Sequence, residues 1–245
     1  LKLLDNRKKA IELGILDTSR TVNAKIIYNN KEIDARIRIK GDFIDHWITK
    51  TRMSLRVEIK NGNSIEGFNR FSLHKPRSRQ FPDDQIFQNI SLKMGNIAVP
   101  TKYFNVTLNG KKWGIMGVEE HVSKELLEKQ KRKESLIFKF GDDNLWVYQH
   151  KNPIKIFEAY HLSNPAIYQY IFQSKKYLDD INMRKKYSYV LDNLLKRNYD
   201  QIFDKKNFLD VVHMSLLWGN NHGLLFNNAR YYLNPYTLKL EYITH

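Results

Sequence analysis

Arg36-Ile37-Arg38-Ile39-Lys40-Gly41-Asp42 is followed, after a short loop, by Arg52-Met53-Ser54-Leu55-Arg56-Val57. In both stretches apolar and polar residues alternate one for one. A period of two places every second side chain on one face of a strand, so each reads as a strand with one buried and one polar face. Working outward, Val22, Ala24 and Ile26 alternate in the same way, and Asn29-Asn30 separates them from Ile33, Ala35, Ile37 and Ile39. That is a β-hairpin signature, because asparagine tolerates the positive φ that tight hairpin turns require. Leu55, Val57 and Ile59 continue the pattern, and Asn61-Gly62-Asn63 turns the chain into Ile65 to Leu73. The first third of the chain is therefore expected to be antiparallel sheet.

The flanking segments have other periods. Leu3, Leu4, Ala10, Ile11 and Leu13 recur at helical spacing, with Gly14 as a stop. Asp83 to Met94 repeats Ile86, Phe87, Ile90 and Leu92, with acidic residues at its start where the helix dipole favours them. Tyr103 to Leu108 and Trp113 to Val118 flank Asn109-Gly110, a strong hairpin signal. A helix is expected over 122–131 and a short strand over 136–140. Past Asn164 the pattern is mainly helical through Trp218, broken by Gly219 to Gly223, and Phe226 to Leu233 is expected to pair with Leu238 to Ile243 across Asn234-Pro235. The fold class that follows is α+β, with a β-rich N-terminal part (1–150), a mainly helical C-terminal part (151–245) and a late hairpin.

The chain has 245 residues, 42% of them hydrophobic, enough for a real core. Lys plus Arg number 41 against 26 Asp plus Glu, a net charge of +15, which favours anionic partners and does not bear on fold. Cysteine is absent, so disulfides and thiolate zinc sites are excluded. No apolar run reaches the ~20 residues of a membrane helix. The sequence contains no P-loop, no GxGxxG and no nucleophile elbow.

Phosphoryl transfer needs few parts: a cation for the phosphates, a carboxylate to fix it, oxygen ligands for Mg²⁺, and a group that orients the attacking hydroxyl. Several blocks of this sequence resemble, in collinear order, those of the CotH family of atypical protein kinases. They are the Lys40-Gly41-Asp42 strand end, the Arg52-Met53-Ser54-Leu55-Arg56 strand, and Phe71-Ser72-Leu73-His74-Lys75-Pro76-Arg77-Ser78-Arg79. Next come Asn109-Gly110 with Val118-Glu119-Glu120-His121, then Ile137-Phe138-Lys139. The most distinctive block is Trp218-Gly219-Asn220-Asn221-His222, with Asn227-Asn228 and Asn234-Pro235 behind it.

The resemblance implies a distant protein-kinase-like fold that binds ATP with Mg²⁺ or Mn²⁺ and phosphorylates Ser or Thr hydroxyls of a protein substrate. It implies that the phosphate-binding cation is Arg52, or Lys50 if the loop is shifted, with Glu119 as its carboxylate partner. Arg79 and Lys139 join the nucleotide set, Asn227 or Asn228 becomes a metal ligand, and Asn221 or His222 falls at the catalytic-loop position. Two departures from the family pattern stand out. An Arg for the phosphate Lys keeps the charge but changes its geometry, and the family's metal-binding Asp is expected at the position after His245. A non-catalytic relative that binds nucleotide or a partner protein is the second reading. A basic nucleic-acid-binding domain, resting on charge and aromatics alone, ranks third. The compartment stays open between secreted, spore-coat and cytoplasmic.

Overall fold

Alternating strands joined by asparagine and glycine turns satisfy their backbone by pairing edge to edge. The computed structural model describes residues 2–14, 16–41, 44–140, 169–172, 175–225 and 228–245. The chain forms two compact units, Leu1–Ile86 with Pro100–His121, and Phe87–Val99 with Val122–His245. The architecture is α+β: antiparallel sheet with several helices.

The first unit is built on a six-stranded sheet of order β1-β2-β3-β4-β7-β6. Its strands are β1 (Val22–Tyr28), β2 (Lys31–Ile39), β3 (Leu55–Ile59), β4 (Arg70–His74), β6 (Thr101–Leu108) and β7 (Lys111–Glu120). Every pairing is antiparallel. The turns follow the expected chemistry, since Asn29 and Asn30 have φ of 48° and 60°, and Asn109-Gly110 has 49° and 75°. The expected strand 65–73 is shorter. Gly67 at φ 81° reverses the chain, Ile65 and Phe68 form only an isolated bridge, and the ladder begins at Arg70.

One face of this sheet is apolar. Ile33, Ala35, Ile37, Val57, Ile59, Phe71 and Val118 are buried together. Helix α1 (Lys2–Leu13) brings Leu3 and Ala10 to it, beside Ile39, Leu55, Trp47, Trp113 and Met116. Trp47 is fully buried and donates its indole N–H to the Gly41 carbonyl at 3.0 Å, so the β2–β3 connection is held by packing and by a hydrogen bond.

The second unit carries a sheet of order β5-β11-β10-β8-β9. It comprises β5 (Ile97–Ala98), β8 (Ile137–Phe140), β9 (Gln169–Phe172), β10 (Arg230–Leu233) and β11 (Leu240–Thr244). Strand β5 runs parallel to β11, and the other pairs are antiparallel. The mainly helical expectation past Asn164 misses β9, whose Tyr170, Ile171 and Phe172 are strand formers and pair with β8. The helices are α3 (Lys124–Lys129), α4 (Lys175–Leu178), α5 (Ile181–Leu195), α6 (Tyr199–Ile202), α7 (Lys205–Leu217) and α8 (Asn221–Leu224). Helix α2 (Asp83–Lys93) contributes Phe87 onward.

Asp180 caps α5, accepting from the backbone of Asn182 and Met183, and Asp204 caps α7, accepting from Asn207 at 2.8 Å. On one side of the sheet, Phe138, Tyr231, Leu233, Leu240 and Tyr242 meet Val190, Ile202 and Val211 of α5, α6 and α7. On the other, Ile137, Tyr232 and Ile243 meet Leu126 and Leu127 of α3. Among the described residues no helix is long and apolar enough to cross a membrane.

This core holds several phenols in apolar surroundings. Burial, aided by the neighbouring Glu241 carboxylate, pushes the Tyr232 hydroxyl up to about 12, and burial also raises Tyr231 and Tyr242. The fold thus favours the protonated phenol over the phenolate. Its stabilising effect is complete below the unfolded value of about 10 and is lost as pH climbs through the folded value. Far-UV circular dichroism and phenolate absorbance, followed together, should show structure lost in step with ionisation between about pH 10 and 12. Phenolate forming well before structure is lost would contradict the burial of these hydroxyls.

Candidate functional site

The polar face of the six-stranded sheet follows from register. Ile39 pairs with Leu55, Leu55 with Leu73, and Leu73 with Val118. The adjacent positions, Lys40, Ser54, His74 and Gly117, therefore form a row across the opposite face, with Glu119 two residues further along β7 on that same face. The sequence alone left Glu119 and Glu120 as neighbouring candidates. Glu120 pairs with Phe71 and so points to the other face, where it is buried, while Glu119 faces Lys40.

The Lys40 ammonium donates to Glu119 Oε1 at 3.4 Å, with the two side chains only 19% and 14% exposed. Lys40 Nζ also lies 3.2 Å from His74 Nε2, and that imidazole is 3.8 Å from Glu119 Oε2. Behind His74, Nδ1 stands 3.3 Å from Ser54 Oγ, which lies 2.9 Å from His46 Nδ1. The backbone braces the group: Lys40 N–H donates to the Ser54 carbonyl at 2.9 Å, and Ser54 N–H to the His46 carbonyl at 2.8 Å. One row further, Arg38 pairs with Arg56, Arg56 with Ser72, and Ser72 with Glu119. Arg56 hydrogen-bonds His121, and Ser72 is buried with no hydrogen-bond partner on its hydroxyl.

The cation that reaches Glu119 is thus Lys40, at the end of β2. Arg52 sits in the turn before β3 with φ 57°, and its guanidinium donates to the Ile115 carbonyl at 2.8 Å. Lys50 is exposed in the same connection. Arg79 ends the 3₁₀ turn Pro76–Arg79 that follows β4. Sequence reading passed over Lys40, His74, Ser54 and His46 as site residues. The available signal was parity, because all but His46 lie at strand ends at positions alternating with buried Ile39 and Leu55 and partly buried Leu73.

In the second unit, Lys139 is half-buried on β8, opposite Arg230. Asn221 and His222 open the single turn α8, both exposed, with the Asn220 side chain accepting from Gly223 N at 3.3 Å. Asn228 is brought to His222: its amide nitrogen donates to His222 Nε2 at 3.2 Å and to the His222 carbonyl at 3.4 Å. With Nε2 accepting, the proton of the neutral ring resides on Nδ1. Asn227, the other metal-ligand candidate, lies outside the described residues. Among the described residues no group of three or more His, Asp or Glu is placed to hold a metal ion.

What the Lys40 face can do follows from its donors. The Lys40 ammonium is a positive charge that donates hydrogen bonds and accepts none, the chemistry that meets an oxyanion. Phosphate groups fit that chemistry. In the second unit, Asn228 carries a carboxamide oxygen, a donor type that divalent cations accept. Neither a protein-family model nor a curated protein matches this sequence.

Gly41 carries the close approach that seats His46. It has φ 107°, and a Cβ there would lie 2.2 Å from His46 Cγ and 2.5 Å from His46 Cβ. Gly41→Ala should cost on the order of 1–3 kcal/mol, through strain and displacement of His46. The check is a urea midpoint shift together with a changed His46 ring resonance; an unchanged midpoint would show that the loop accommodates the methyl group.

Proposed function

We propose that this chain is a phosphotransferase of the CotH type, with a protein-kinase-like fold, moving the terminal phosphoryl group of ATP to a Ser or Thr hydroxyl of a protein substrate. The observation that carries the reading is the Lys40–Glu119 ion pair, set into a six-stranded antiparallel sheet and largely withdrawn from solvent. A cation fixed by a carboxylate on an N-terminal sheet is the phosphate-holding element that this chemistry requires. The collinear sequence blocks support the same class. Lys40 takes the role that the resemblance alone gave to Arg52 or Lys50.

ATP bound with Mg²⁺ or Mn²⁺ would supply the phosphoryl group and neutralise much of its charge. The residues of the chain do the rest. Lys40 donates to phosphate oxygen from a compact, rotatable ammonium, and Glu119 keeps that ammonium aimed. Asn227 or Asn228 contributes a neutral amide oxygen to the metal, a donor that hard divalent cations accept. The transition state of phosphoryl transfer is loose and asks little of a general base, so positioning the acceptor hydroxyl matters most. Asn221 and His222, which the resemblance puts at the catalytic-loop position, are the groups for that task. The net charge of +15 suits an acidic substrate protein.

Calorimetric titration of ATP with Mg²⁺ or Mn²⁺, with transfer of the terminal phosphate to acidic Ser/Thr proteins as the second readout, tests this. Lys40→Met should weaken ATP binding by about ten- to a hundredfold, the loss of one or two charged hydrogen bonds. Arg52→Gln should bind ATP within about threefold of the parent, because its guanidinium serves a backbone carbonyl. No metal-dependent ATP binding, or equal binding by Lys40→Met, would overturn the reading. Binding without any transfer would instead favour the non-catalytic relative.

A further inference from the structure

A guanidinium has five N–H donors. Among the described residues that of Arg52 makes one hydrogen bond, from Nη2 to the Ile115 carbonyl at 2.8 Å, and no ion pair. Its Nε is shielded from solvent without a hydrogen-bond partner. The side chain is half-buried, and the backbone stands at φ 57°, a left-handed conformation that long side chains seldom take. Gly or Asn would meet that turn more readily, and a neutral donor would serve the carbonyl. An arginine held in such a backbone, with its charge unanswered, points to recognition of an anion.

The β2–β3 connection is braced where it presents this group. Arg7 of α1 donates to the carbonyls of Trp47, at 2.7 Å, and of Ile48. Ile48 N–H closes onto the Ile44 carbonyl at 2.7 Å, and Thr49 Oγ1 onto the Thr51 carbonyl at 2.6 Å. On β7, Ile115 lies two residues beyond the last β4–β7 pair, His74 with Gly117. Ile115, Gly117 and Glu119 share a face by parity, so the anchor of Arg52 stands about 14 Å along β7 from Glu119. An extended peptide covers that distance in about four residues. Ile115 is 54% exposed, and Lys50, two residues before Arg52, is exposed as well.

We propose that Arg52 is a specificity residue for the protein acceptor: the Nη1 end of its guanidinium, with the second N–H of Nη2, receives the carboxylate of an Asp or Glu side chain of that protein. The acceptor is that of the phosphotransferase reading, on which the inference rests, while the pairing itself needs no phosphoryl transfer. The fork and the carboxylate match in two parallel N–H···O bonds, which a neutral amide on the acceptor reproduces only in part. The Ile115 carbonyl aims the fork, so less rotational freedom is lost on binding than at an unrestrained arginine. Lys50 adds attraction without direction, and the net charge of +15 draws an acidic chain to the surface.

The probe is a serine peptide rich in glutamate, with a twin that carries glutamine at every glutamate position. Fluorescence anisotropy reads binding of each labelled peptide to the whole chain, and kcat and KM with ATP and Mg²⁺ read transfer. Arg52→Gln keeps an amide N–H for the Ile115 carbonyl. It should weaken binding of the glutamate peptide and raise its KM by about tenfold, the loss of one charged pair, with kcat and ATP affinity within about threefold. The glutamine peptide should bind more weakly to the parent and lose nothing further in the variant. Arg52→Lys, which keeps the charge without the fork, should fall between, and it carries the test where Arg52→Gln fails to fold. A structural role would weaken both peptides together. That equal loss, no preference of the parent for the glutamate peptide, or a loss of ATP affinity in place of peptide affinity overturns the inference. Preferential, Arg52-dependent binding of the glutamate peptide without transfer sets aside the phosphotransferase reading and keeps the docking site, whereas transfer indifferent to Arg52 does the reverse.

Discussion

Register between β2, β3, β4 and β7 is the constraint on which the first unit depends. Side chains alternate with a period of two, so a slip of one residue would exchange Ile39, Leu55, Leu73 and Val118 for Lys40, Ser54, His74 and Gly117. The first set packs with Trp47, Trp113, Phe71 and α1, and the second carries the charge. Burying the second set against α1 would place an ammonium and an imidazole among apolar groups, at several kcal/mol each. The hydrophobic face therefore enforces the polar one. The asparagine and glycine turns fix the lengths of the hairpins and leave no slack for a slip.

A pair as withdrawn as Lys40 and Glu119 is not an economical way to stabilise a sheet. Desolvating two charges offsets most of their attraction, and apolar residues of similar size would often serve as well. Exposed pairs such as Lys25–Glu32 are easier to account for, since they keep their hydration and contribute little either way. What a half-buried pair does supply is orientation. His74 and Ser54 then add polar contacts that a merely structural pair would not need. That combination, costly to bury and restrained on several sides, is the reason for placing function on this face of the sheet.

Much of the fold was legible from periodicity. The hairpin β1–β2, the β6–β7 hairpin at Asn109-Gly110, and helices α1, α2 and α3 lie within a few residues of where the pattern puts them. Strand β9 was not legible, because Tyr170, Ile171 and Phe172 have no alternation to set them apart from a helical neighbourhood. Its pairing with β8 comes from tertiary context. The Glu119-Glu120 block was legible, but which carboxylate faces a cation, and which cation, was not. Arg52 and Lys50 stand nearer the family pattern in sequence. The choice of Lys40 rests on the β2–β3 connection, where Arg52 takes a positive φ and turns its guanidinium toward Ile115. A change of cation from one end of the β2–β3 connection to the other has no signature in composition or spacing.

The identity of that cation has a chemical consequence. An arginine would meet a phosphate with a planar fork and fixed directions, binding two oxygens at once. A lysine is a point charge whose direction must come from its surroundings. On this face the surroundings include Glu119 and His74, and behind His74 the hydroxyl of Ser54, whose backbone N–H is in turn tied to the His46 carbonyl. His46 can stand there only because Gly41 has no side chain. The Lys-Gly step at the end of β2 thus joins two requirements in adjacent residues: Lys40 carries the charge, and Gly41 makes room for the group that closes the chain of hydrogen bonds orienting it.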